Sequence, residues 1–214
     1  MLAVRASEVV STNELVDALW PDEPPVTATK TVHSHVARVR RALETAGLEG
    51  MLVTREPGYV LRVAADCIDA ARFEQRLRAG QDALRDERYD EASRKLLSAL
   101  DLWRGDALAD CRGAERLDAE AVRLEELRIG ALEDRIDADL ACGRHAPVVA
   151  ELESLIGRYP LHERLWGSLI VALYRCERQG DALRAYHRQN QPDSHRYGLD
   201  HRASFLCGTP NARL

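Results

Sequence analysis

The stretch that decides the fold is TATKTVHSHVARVRRALE, residues 27–44. Four of its side chains are basic and one is acidic, a local charge of 4 − 1 = +3 inside a chain whose formal net charge is −5. Val32, Val36, Val39 and Leu43 recur at steps of four, three and four, which places them on one stripe of a helix. The opposite face then carries Lys30, Ser34, Ala37, Arg38 and Arg41, while His33 and Arg40 fall on one flank of the stripe. Small side chains let a helix sit deep in a groove, and lysine and arginine reach phosphates and guanine edges. The same pattern also describes an amphipathic helix with a solvated basic face, and periodicity by itself does not separate the two.

The flanks favour the first reading. Upstream, STNELVDALWP places Ser11 and Glu14 at capping-box spacing. Leu15, Val16, Leu19 and Trp20 share one face, Pro21 ends that helix, and Thr27 is positioned to cap the next one. Downstream, Gly47 and Gly50 break the chain, and MLVTREPGYVLRV reads as a hairpin turning at Pro57–Gly58, with Arg55 and Tyr59 near its tip. Two short helices, the second basic, followed by a hairpin make a helix-turn-helix with a wing.

From Ile68 onward the pattern is helical. LACGRHAPVVAEL begins at Leu140 and YRCERQGDALRAY begins at Tyr174, 34 residues later; LRDERYDEAS begins at Leu84. A 34-residue helix–turn–helix period is the tetratricopeptide spacing. The longer first interval predicts an insertion around DAEAVRLEELRIGALEDRIDADLA. Tyr89, Trp103, Trp166 and Tyr186 are expected to pack in the repeat core. Arg104, Arg112, Arg116 and Arg123 read as surface cations without a specific role. In residues 189–214 the apolar periodicity fades, and the segment is expected to be an irregular, disordered tail. His187, His195 and His201 are too irregularly spaced for a metal site.

Composition narrows the function. No apolar run is long enough to span a bilayer, and the five cysteines form neither a CxxC pair nor an even framework, so reduced thiols in a cytoplasmic protein are expected. No Gly-rich phosphate loop, GxSxG elbow or HExxH is present, and Glu125 and Glu126 diverge on a helix, so no enzyme and no cofactor are expected.

STNELVDALWPDEPP, TVHSHVARVRRALE and LVTREPGYVL resemble the winged-helix domain of the Streptomyces antibiotic regulatory protein family. YPLHERLWGSLIVALYRCERQGDALRAYHR, LWRGDAL and LEELR resemble the bacterial transcriptional activator domain that follows it there. The resemblance implies a mainly α protein in three parts: a winged helix-turn-helix with a β-hairpin wing at 1–65, a tetratricopeptide-like repeat domain at 66–188, and a divergent tail at 189–214. Relative to the family, the N-terminal sheet and most of the first helix are missing, leaving MLAVRASEVVS. The resemblance implies major-groove contacts by Lys30, His33, Ser34, Arg38 and Arg41, a wing contact to phosphate by Arg55, and an intramolecular acidic partner for Arg40. Its implied partners are double-stranded promoter DNA, RNA polymerase and a second copy of the chain. It also implies activation of a secondary-metabolite gene cluster. The rival expectation is a helical-repeat interaction module whose shortened front no longer binds DNA.

Overall fold

The computed structural model describes residues 1–111 and 113–190. Residues 2–7 form turns, and the first regular element is the short strand β1, Val10–Ser11. Helix α1, Thr12–Leu19, starts on the expected capping box. The Glu14 amide donates to the Ser11 hydroxyl at 3.1 Å, and the Ser11 amide donates to the Glu14 carboxylate at 2.9 Å. Helix α2 spans Ala28–Thr45, and the hairpin strands are β2, Leu52–Arg55, and β3, Gly58–Leu61. All pairings are antiparallel in the order β1-β3-β2, with Val10 opposite Tyr59 and Thr54 opposite Tyr59 on its other side. The turn residues are Glu56 and Pro57, and Gly58 already belongs to β3, one position from the expected turn.

Val16, Ala28, Val32, Val36, Leu52 and Tyr59 form the core of this unit, with Leu2, Leu15, Trp20, Leu43 and Leu61 at its margin. Two local expectations fail. Thr27 stands at the start of α2, but its side chain caps nothing. Val39, placed on the buried stripe by periodicity, is 46% exposed. Eight residues give α1 a length of about 12 Å against about 27 Å for the eighteen of α2, so α1 covers only part of the longer helix.

Among the described residues the second unit comprises three helical hairpins: α3 (Asp69–Arg85) with α4 (Tyr89–Leu100), α5 (Glu115–Ala141) with α6 (His145–Arg158), and α7 (Glu163–Arg175) with α8 (Gln179–Asn190). Each hairpin turns through three residues, and the middle one is left-handed: Glu87 at φ 58°, Gly143 at φ 77° and Glu177 at φ 61°. In each, the arginine after it donates its amide to the carbonyl five residues back, at 2.9 Å: Arg88 to Ala83, Arg144 to Asp139, Arg178 to Leu173. This is the six-to-one closure of a Schellman motif, and it explains why the repeat is legible around Cys142 and Cys176. The insertion expected in the first interval is the 27-residue α5 and the loop that leads into it.

Ile136, Leu152, Leu165, Trp166 and Leu169 fill the core of the last two hairpins. Phe73, Leu77 and Leu96 fill that of the first, with Trp103 edge-on to Phe73 at 5.2 Å. Of the four aromatics expected inside, Trp166 is buried, Tyr89 and Trp103 are half-buried, and Tyr186 is exposed. Tyr186 lies on the last described helix, where no described element follows to cover it. Polar contacts stitch the hairpins together across the seams: Asp134 accepts from Gln81 at 2.9 Å and Arg164 at 2.7 Å, while Asp139 accepts from the Ser93 hydroxyl at 2.6 Å. The expectations for residues 191–214, including His195 and His201, and for Arg112 lie outside the described residues.

Candidate nucleic-acid interface

Burying Val32 and Val36 turns the opposite side of α2 outward, so Lys30, His33, Ser34, Ala37, Arg38 and Arg41 are all exposed. Arg55 is exposed at the end of β2, beside the hairpin turn. Tyr59 joins this helix face to the wing. Its ring is buried, His33 meets it edge-on at 6.4 Å, and the Arg40 guanidinium lies 5.8 Å from its centroid.

Arg40 corrects an expectation. Instead of an acid, it bonds the hairpin, donating from Nε to the Leu52 carbonyl at 2.9 Å and from Nη2 to the Thr54 hydroxyl at 2.7 Å. A planar donor fork can bridge a strand carbonyl and a side-chain oxygen at once, so Arg40 fixes the hairpin against α2. Position on the flank was legible in the sequence. The partner was not, because it lies across a turn whose geometry periodicity does not report.

Among the described residues, Lys30, Arg38, Arg41 and Arg55 have no carboxylate within ion-pair distance. In the helical unit Arg85, Arg88, Arg94, Arg123, Arg144 and Arg164 are among the many cations that do. A cation with no internal partner can neutralise a phosphate without first giving up an ion pair, and the release of counterions then drives association. The first turn of α2 also holds no acidic residue, so nothing there repels a phosphate from its N-terminal amides.

Sequence reasoning missed a contact between the two units. Glu14, already in the capping box, also accepts from Arg5 at 2.6 Å and from Arg116 of α5 at 3.0 Å. Arg116 therefore has a place, as does Arg123, which bridges Glu74 and Glu120. Arg104 is exposed. The Ser11 amide and hydroxyl, then Arg5, hold the Glu14 carboxyl well below its ordinary 4.5, at about 2. A carboxylate with a depressed native pKa contributes stability that is present above its unfolded value and is lost as pH falls through the native one. The urea midpoint of the winged unit is therefore expected to drop between pH 4.5 and about 2. Glu14→Gln is expected to flatten that limb, and an unchanged acid limb in the variant would remove Glu14 from the account.

No group of three or more His, Cys, Asp or Glu residues able to hold a metal occurs among the described residues, and none of the described helices is long and apolar enough to cross a membrane.

Residues 1–61 match the family described as transcriptional regulatory protein, C terminal, and residues 68–203 match the bacterial transcriptional activator domain. The chain is 39% identical over 193 residues to the regulatory protein DnrI of Streptomyces peucetius, covering 87% of this chain and 71% of that protein. It is 39% identical over 191 residues to the transcriptional regulator RedD of Streptomyces coelicolor, covering 86% and 54%. The transcriptional regulatory protein EmbR of Mycobacterium tuberculosis is 37% identical over 202 residues, covering 94% of this chain and 52% of its own length. A solved structure of that protein with a low-affinity phosphopeptide superposes with a TM-score of 0.85 at 38% identity, covering 88% of this chain and 50% of the other. This chain thus spans about half of EmbR and of RedD, and more of DnrI. With both units matched in order, the chain belongs to the Streptomyces antibiotic regulatory protein family of DNA-binding transcriptional regulators.

Proposed function

We propose that the chain binds double-stranded promoter DNA by laying α2 in the major groove, and that it activates a secondary-metabolite gene cluster. Arg38, Arg41 and Ser34 read base edges, Lys30 and His33 contact the strands beside the groove, and the wing brings Arg55 to a neighbouring phosphate. The helical unit contacts RNA polymerase and a second copy of the chain. The protein acts in the cytoplasm, without a cofactor and without catalysing a reaction. The supporting observation is the row of exposed cations with no internal partner, opposite a buried valine stripe and beside a hairpin fastened by Arg40.

The test is fluorescence anisotropy of the full chain on duplexes from upstream of its own gene neighbourhood, with a scrambled duplex of equal length beside them. Tight, sequence-selective binding is expected, with log K falling linearly in log salt by about 0.9 for each phosphate neutralised. Equal weak binding to both duplexes would leave the rival, a helical-repeat module that acts through protein contacts alone. Val39, exposed on α2, is the observation that keeps that rival in view.

A further inference from the structure

The connection between α4 and α5 is longer than the stacking of hairpins requires. Residues 101–114 join those two helices, whereas residues 159–162 suffice between α6 and α7. A connection of that length inside a compact unit usually carries a function of its own. Here it walls a cavity of about 430 Å³, closed on its other sides by the start of α3 and by Leu124 of α5. That volume falls within the range of small-molecule pockets. The wall is fastened from neighbouring helices. The Ala107 amide donates to the Glu125 carboxylate at 3.2 Å, and Arg158 of α6 donates to Asp106 at 3.2 Å. Arg128 donates to the Gly105 carbonyl at 3.5 Å, and its guanidinium lies 4.7 Å from the centroid of the Trp103 ring. Between these ties Leu108 is held at φ 50°, in the left-handed region that a leucine rarely adopts. Strain of that kind persists only where surrounding contacts over-determine it, and it gathers at sites that bind something.

Phe73, Leu102, Trp103 and Leu124 give the cavity its apolar surface. The Trp103 indole N–H is buried and has no acceptor among the described residues. Buried donors in native proteins are nearly always paired, so this one calls for an acceptor beyond those residues. The charged lining residues are Asp69, Asp106, Asp110 and Arg104, all exposed. Arg158 takes up Asp106. Asp69 bonds only the Ala70 amide beside it, at 2.9 Å, and among the described residues Asp110 has no ion pair. Two carboxylates are thus left for a ligand, against one arginine. We propose that this cavity binds a small organic amine that carries an aromatic body and a hydrogen-bond acceptor. The ring lies among Phe73, Trp103 and Leu124, the acceptor receives the Trp103 N–H, and the ammonium meets Asp69 and Asp110. An acid of the same size and shape fits worse, because it brings negative charge to a lining that already holds two unpaired carboxylates.

Isothermal titration of the full chain tests this, without DNA, so that the outcome is independent of promoter binding. The probes are naphthyloxyethylamine and naphthyloxyacetate, which share a ring and an ether oxygen and differ in the sign of their charge. One amine per chain is expected to bind saturably, at least about tenfold more tightly than the acid. Asp110→Asn is expected to weaken the amine at least about threefold and leave the acid no weaker. Trp103→Phe, which keeps a ring and removes the N–H, is expected to weaken both probes, with helix content by circular dichroism unchanged. An amine that does not bind saturably would overturn the proposal. Equal affinity for amine and acid would overturn it as well, by removing the carboxylates from recognition. Unchanged amine affinity in both folded variants would overturn it too, and would place the amine elsewhere.

Discussion

Arg38→Ala/Arg41→Ala is expected to bind cognate duplex at least about a hundredfold more weakly than the parent chain, with the salt slope little changed, because in the proposed complex both side chains read base edges and neutralise no phosphate. Both side chains are exposed on α2 and neither has an internal acidic partner, so their removal leaves no buried charge behind. Alanine has the highest helix propensity, which keeps α2 intact and confines the change to the interface. Each base contact carries about 1–3 kcal/mol of discrimination, so selectivity over a scrambled duplex should narrow together with affinity. Arg40→Ala separates positioning from contact. It releases the hairpin from α2, and affinity is expected to fall for cognate and scrambled duplex alike, because Arg40 spends its donors on Leu52 and Thr54 and reads no base. Parental affinity and selectivity in the double variant would remove α2 from the DNA interface.

Gly58→Ala is expected to destabilise the winged unit at or beyond the upper end of the about 1–3 kcal/mol typical of overpacking. A Cβ at Gly58 would lie 1.9 Å from the Val10 carbonyl oxygen and 2.6 Å from the Ser11 Cα, both backbone atoms of β1. Neither can turn aside as a side chain would, so β1 must separate from β3, taking with it the strand that leads into the capping box. In a urea titration the winged unit should unfold at lower denaturant while the helical unit keeps its transition. Gly105→Ala, with nothing within 4 Å of the added carbon, is the matched control and should stay within about 0.5 kcal/mol. An equal shift in both variants would mean that the close approach at Gly58 has no energetic weight.

What the sequence by itself determined is local. The bounds of α2, the Ser11–Glu14 capping box, the stop at Pro21, the hairpin and the 34-residue repeat all follow from side-chain period, backbone sterics and hydrogen bonds that close within a few residues. The exposed basic face of α2 was legible for the same reason, since period 3.6 sets which side chains oppose a valine stripe. Tertiary structure decided the rest. Gly58 reads as a turn residue, yet it is required because β1, 47 positions earlier, passes against it. Arg40 reads as the partner of an acid and instead holds the hairpin. Arg116 reads as an idle cation and meets Glu14 across the two units. Val39 and Tyr186 read as core, and both are exposed because no described element reaches them. Periodicity states which face a residue occupies; burial and pairing also depend on what the rest of the chain brings against that face, and this is a property of the assembled fold.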